Sequence, residues 1–120
     1  MELIKIVNAR NALVSLSDRE DISLHLSYWM AKFVAKTESE YNFYTIEMRK
    51  TFDKYAQKKD SGDFFIPADQ VNNFNADVAK VGETNVEDPG IRFNLSELSS
   101  ELKLSMKQIY PLLDFIDEDK

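Results

Sequence analysis

The sequence predicts an α+β fold: one long central helix with shorter helices and a small, mainly antiparallel sheet, forming a single domain over residues 1–120. Three observations carry this. From Ile22 to about Lys59 the chain has no Gly or Pro. Over the same stretch Leu26, Met30, Phe33, Thr37, Tyr41, Tyr44, Met48, Phe52 and Tyr55 recur at steps of three or four, which keeps them on one face of a helix. Four short segments elsewhere (Leu3–Val7, Phe64–Ile66, Thr84–Glu87 and Ile91–Leu95) suit short strands.

Leu3, Ile4, Ile6 and Val7 form a β-branched-rich run and predict a strand buried on both faces. Asn8 suits an N-cap, and Ala9, Ala12, Leu13 and Leu16 follow at helical spacing, so a short helix is expected over 9–17. Asp18, Glu20 and Asp21 then precede the long helix, where its dipole favours acids, and Asp21 or Ser23 can cap it.

At about 1.5 Å per residue the long helix would reach roughly 57 Å, which is long for so small a domain. Part of it should therefore project or meet a second chain. Trp29 and Val34 widen its apolar face, while Phe43 and Ile46 interrupt its polar back. Basic residues gather at its end, and Gly62 can take the left-handed conformation that closes a helix.

Pro67 fits the first turn of a new helix, whose face is Val71, Phe74, Val78 and Val81, with Gly82 as its stop. Asp88-Pro89-Gly90 suits a type II turn between the last two strand segments, giving a hairpin. Leu95–Leu102 is short and Ser-rich, and reads as a helical turn or loop with Leu95, Leu98 and Leu102 inward. Ser105 and Gln108 form a capping box for a closing helix with Ile109, Leu112, Leu113 and Ile116 inward, kinked at Pro111. Asp117, Glu118, Asp119 and Lys120 are expected to fray.

Composition excludes several classes of chemistry. There is no cysteine and one histidine, His25, so no disulfide, thiolate or recognisable zinc site is expected. Three glycines form no phosphate-cradling loop. A net charge of −6 argues against general nucleic-acid binding. No apolar run approaches the roughly 18 residues of a membrane span, and the N-terminus is too mixed for a signal peptide, so a cytosolic protein without membrane association is expected. No cofactor or metal is expected. Asp88 with Glu101-x-Lys103 resembles the acid, acid-x-Lys pattern of metal-dependent nucleases, but the tripeptide is common and lies in a weak segment.

The aromatic residues of the long helix are the remaining signal. Their simplest use is as core. The functional alternative assigns the half of the row at Tyr41, Tyr44, Met48, Phe52 and Tyr55 to a protein interface, where Tyr combines apolar area with a polar tip. Base stacking beside Arg49, Lys50 and Lys54 is a third use.

The order of segments resembles a family of small proteins encoded by phages and prophages of Gram-positive bacteria. The likeness rests on Asn8, Ala9, Ala12 and Leu13, then on ISLHLSYWMAKFVAK, MRKTFDKYAQKKDSGDFFIP, VNNFNADVAKV and LSMKQIYPLLDFI, and spans nearly the whole chain. It implies a viral origin and a small accessory or assembly role in the bacterial host cytoplasm, with no activity or ligand attached. Sequence and resemblance together suggest a non-enzymatic protein that binds a phage or host protein, with a homodimer as one form. The alternatives are an inhibitor that turns an acidic surface on a host defence or nucleic-acid-handling protein, and the metal-dependent nuclease.

Overall fold

Leu3 is fully buried, and it begins a helix rather than a strand. The computed structural model describes residues 1–118. In it α1 runs Leu3–Ser15 as one element. Leu3, Ile6, Val7, Ala9 and Leu13 are its buried residues, a helical period that a five-residue run of branched side chains cannot by itself distinguish from a strand. Asn8, expected to cap a helix, lies inside this one and is exposed.

The expected long helix is two helices, α2 (Leu24–Lys36) and α3 (Glu38–Tyr55), meeting at Thr37. The Ser23 hydroxyl caps α2 by accepting from Leu26 N–H at 3.2 Å. At Thr37 the backbone moves to φ −103°, ψ 12°. Its hydroxyl donates to Phe33 O at 2.8 Å, the back-bonding that bends helices at Ser and Thr. α3 stops at Tyr55 rather than near Lys59, because β1 (Gln57–Lys58) pairs antiparallel with β2 (Phe64–Phe65). Gly62, with φ 95°, serves the turn of this hairpin and not a helix end.

A 3-10 turn at Ala68–Gln70 leads into α4 (Val71–Gly82), on the expected period. Gly82 is the last residue of that helix and has no left-handed conformation. It is there for space: a Cβ would lie 3.0 Å from Ile4 Cβ. The expected hairpin over 84–95 is absent. Residues 84–86 pair instead with the N-terminus, through Leu3 N–H to Thr84 O and Val86 N–H to Met1 O, both at 2.8 Å. β3 (Phe93–Asn94) pairs parallel with β4 (Ile116–Asp117).

Asn94 accepts from Glu97 N–H at 3.1 Å and starts α5 (Leu95–Glu101), so this segment is a helix and not a loop. Leu98 and Leu102 point inward as expected, while Leu95 is more than a third exposed. The Ser105–Gln108 capping box opens α6 (Met106–Ile109). Pro111 cannot donate to the carbonyl one turn back, and the chain continues as a 3-10 segment, Tyr110–Phe115. Asp117 lies in β4 rather than in a frayed end, and Asp119 and Lys120 fall outside the described residues.

The outcome is mostly helical, 64% helix and 8% strand, which overturns the α+β reading and its single long central helix. α1 is the hub, packing on α2, α3, α4 and the 110–115 segment. The core joins Ile6 and Leu13 of α1 to Leu26 and Phe33 of α2, with Phe93, Leu112 and Phe115 closing it. Phe33 meets Phe115 edge to face, centroids 4.9 Å apart, and Phe93 at 6.2 Å. α3, the β1–β2 hairpin and α4 extend from this core as an arm. The molecule measures 54 × 31 × 24 Å with a radius of gyration of 17.4 Å, against about 13–14 Å for a compact globule of this length.

Candidate protein-binding cleft

The predicted interface row lies where the arm meets the rest of the chain. Tyr41, Tyr44, Met48, Phe52 and Tyr55 are all half-buried. The Arg10 guanidinium stands 4.2 Å above the Tyr41 ring. Phe52 and Tyr55 both pack at right angles to the Phe74 ring on α4, with centroids 6.5 and 6.2 Å away. The Tyr55 hydroxyl donates to Asp77 Oδ2 at 2.6 Å, and Lys54 reaches the same oxygen at 3.3 Å. Both hold the Asp77 carboxyl below its ordinary range, the tyrosine bond foremost. Much of the row is thus engaged by α1 and α4 of its own chain.

An apolar opening lies elsewhere. A cleft of about 490 Å³ lies between the C-terminal half of α1 and the length of α2, within the size range of ligand and peptide sites. Leu13, Val14, Met30 and Val34 form apolar walls, with Ala31 and Ala35 leaving room between them. It exists because small residues alternate with large ones on the α2 face turned to α1, while Met30 and Phe33 carry the core contact below. At the loop end, Arg19 is held by Asp21 through two hydrogen bonds. Glu38 and Arg10 lie at the other end. Arg10 Nε is buried and has no hydrogen-bond partner among the described residues, and no ion pair joins Arg10 to Glu38. That nitrogen is closed off from the cleft, with the guanidinium lying over Tyr41.

The sequence reading passed over Arg10 and Val14. One turn apart on α1, they share a face with Leu13 and Ser17, a signal available only when 3–15 is read as one helix. Several large apolar side chains are also exposed. On α6 and the 3-10 segment after it, Met106, Tyr110 and Leu113 are 83%, 72% and 54% exposed. Their spacing of four and three aligns them in one row, with Leu112 and Phe115 on the buried side.

The polar residues singled out from sequence do not gather at this cleft. Asp88 is held by Arg92, whose Nη1 donates at 3.0 Å, and by Gly90 N–H at 2.8 Å. The Arg92 bonds first, then that backbone bond, push its carboxyl down to about 2. Asp88 is therefore committed to a turn, while Lys103 is exposed and Glu101 Oε2 is buried without a partner among the described residues. No group of three His, Cys, Asp or Glu side chains converges among the described residues. His25 is exposed and its Nδ1 lies 2.7 Å from Glu97 Oε1, tying α2 to α5. No helix among the described residues is long and apolar enough to cross a membrane.

No protein-family model, curated protein or solved structure matches the chain.

Proposed function

We propose that this protein is a non-enzymatic accessory of a phage or prophage, working in the cytoplasm of the bacterial host by binding another protein through the α1/α2 cleft. The observation that carries the reading is the cleft itself: apolar walls, open to solvent, with Arg10 and Glu38 at one end. Such grooves take an amphipathic segment whose apolar side chains lie between the helices. The viral setting rests on the resemblance of the sequence to small phage proteins. The acidic-decoy alternative asks for free carboxylates in rows, and it is less well supported because Asp21, Asp77 and Asp88 are each tied to a base of the same chain.

A photo-crosslinking amino acid placed at Ala31, in the cleft, tests this in cells that carry the phage. A control probe goes at Asn75, exposed on α4. Protein adducts formed at Ala31 and absent at Asn75 are expected. The same adducts at both positions, or none at Ala31, would overturn the reading.

A further inference from the structure

We infer that a second pocket, on the other side of α2, binds a guanidinium group, with Trp29 against its flat face and the Glu97 carboxylate against its charge. The pocket has a volume of about 250 Å³ and lies between α2, residues 90–94 and α5. His25, Leu26 and Trp29 line it from α2, Arg92 from the 90–94 segment and Glu97 from α5. Trp29 and Ala31 lie about 200° apart round the helix, so this pocket and the α1/α2 cleft open on different sides. The inference does not depend on what the cleft binds. The volume falls below the roughly 300 Å³ at which whole-ligand pockets begin, which suits a head group rather than a larger molecule.

Three observations select a guanidinium. The first is charge. Glu97 brings a carboxylate, while Arg92 is already engaged: its Nη1 donates to Asp88 Oδ1 at 3.0 Å, and Asp114 and Asp117 act on it as well. Even with Lys5 on Asp114, acids outnumber bases around the pocket, in a chain whose own charge is −6. The second is hydrogen bonding. An ionised carboxylate cannot donate, so the 2.7 Å contact between Glu97 Oε1 and His25 Nδ1 places the imidazole proton on Nδ1. That bond orients Glu97 and leaves its Oε2, with Nε2 of the neutral imidazole, as acceptors. A guanidinium offers donors only. The third is the aromatic wall. Trp29 is 41% exposed and packs at right angles to Tyr28, ring centroids 5.4 Å apart. A planar cation stacks on an indole, and Arg does so more readily than Lys. Leu26, which is buried, forms the apolar floor.

Trp29 is the chain's single tryptophan, so its signals report on this pocket alone. Titrating the full chain with N-acetyl-arginine methylamide should change the Trp29 emission and move its indole N–H resonance, with half-saturation at about 1 mM, the weak end of specific binding. The citrulline counterpart has the same shape without the charge. It should bind about tenfold more weakly, the scale of one charge-assisted hydrogen bond. Glu97→Gln should lose about tenfold for the arginine probe for the same reason. His25→Gln breaks the same tie between α2 and α5 but keeps the carboxylate, and should lose less than about threefold, as an exposed pair is weak. Agmatine, a free guanidine compound, separates two sources of the group. Tighter binding of the capped arginine assigns the site to a polypeptide side chain, and tighter binding of agmatine assigns it to a small molecule. Silence of both Trp29 signals toward both guanidinium probes would overturn the inference. So would citrulline binding as well as arginine, or equal losses in the two variants.

Discussion

The hydroxyl of Thr37 donates to the carbonyl oxygen of Phe33 at 2.8 Å, and the backbone N–H of Thr37 reaches the same oxygen at 3.1 Å. One acceptor thus holds both donors of the residue at which α2 gives way to α3. The amide ladder continues across the junction, with Tyr41 N–H on Thr37 O at 3.0 Å. The junction is therefore a bonded bend, and it sets the angle at which the arm leaves the core. Thr37 is 1% exposed, so its hydroxyl has no water to fall back on. Thr37→Val keeps the shape and removes the bond. It should cost about 1 kcal/mol in urea unfolding, the usual net worth of a buried hydrogen bond. An unchanged midpoint would show that the bond does not stabilise the junction.

Gly82 and Ile4 meet where the arm returns to α1. An alanine methyl at 82 would sit 3.0 Å from Ile4 Cβ, a stem atom that cannot swing aside. Against that, Ala is favoured over Gly in a helix by about 1 kcal/mol. Overpacking costs about 1–3 kcal/mol, so the clash should win and Gly82→Ala should destabilise. In an Ile4→Gly background the Cβ that it meets is gone, and the same change should be neutral or stabilising. A double-mutant cycle reads the difference directly, and two equal effects would remove the close approach from the account.

Where sequence reading succeeded, the signal was local. Ser105 and Gln108 cap each other within one turn, and the α4 face from Phe74 to Val81 repeats within three turns. It failed where the answer lay across the chain. Ile4, Ile6 and Val7 fit a strand or a helix equally over five residues, and only packing against the 110–115 segment and α4 decides for a helix. Thr37 carries no mark of a break, because a threonine in an apolar row reads as a tolerated polar residue; its burial forces the hydroxyl onto the backbone. Residues 84–86 had the look of a hairpin arm, yet the N-terminus competes for their hydrogen bonds and wins. The cleft was invisible for the same reason. Arg10 matters through Tyr41, on a helix two elements away, and no spacing along the sequence shows that pair.

Asp88 gives the turn at 88–92 a pH dependence. Its carboxyl titrates at about 2 in the folded chain, below its ordinary 3.8, because the Arg92 guanidinium and Gly90 N–H bond the charged form. A depressed carboxylate contributes stability that is fully present above the ordinary value and is lost as pH falls through the folded one. The window is therefore roughly pH 4 down to pH 2. The carboxylate is 40% exposed, so solvent screening reduces the contribution to about 1 kcal/mol. Asp88→Asn should be less stable than the native chain by that amount at pH 7 and equal to it near pH 2. A gap that persists unchanged at pH 2 would mean the variant perturbs the turn by some other route.

The arm should open before the core does. α4 is held to α3 by Phe74, whose ring packs at right angles to Phe52 and Tyr55, and by the Tyr55 hydroxyl on Asp77. All three rings are only half-buried, whereas Phe33, Leu112 and Phe115 in the core are 1% exposed or less. Local stability follows this density of buried apolar contact. Phe74→Ala removes the ring shared by both aromatic contacts and should cost about 2–3 kcal/mol, below the range for a fully buried ring. That loss should fall on the arm. Amide exchange across α4 and the β1–β2 hairpin should accelerate by at least tenfold, while amides around Phe33 and Leu112 keep most of their protection. Tyr55→Phe should give a milder effect of the same pattern, since Lys54 still neutralises Asp77. Equal acceleration in arm and core would mean that the two unfold as one unit, and that the bend at Thr37 does not separate them energetically.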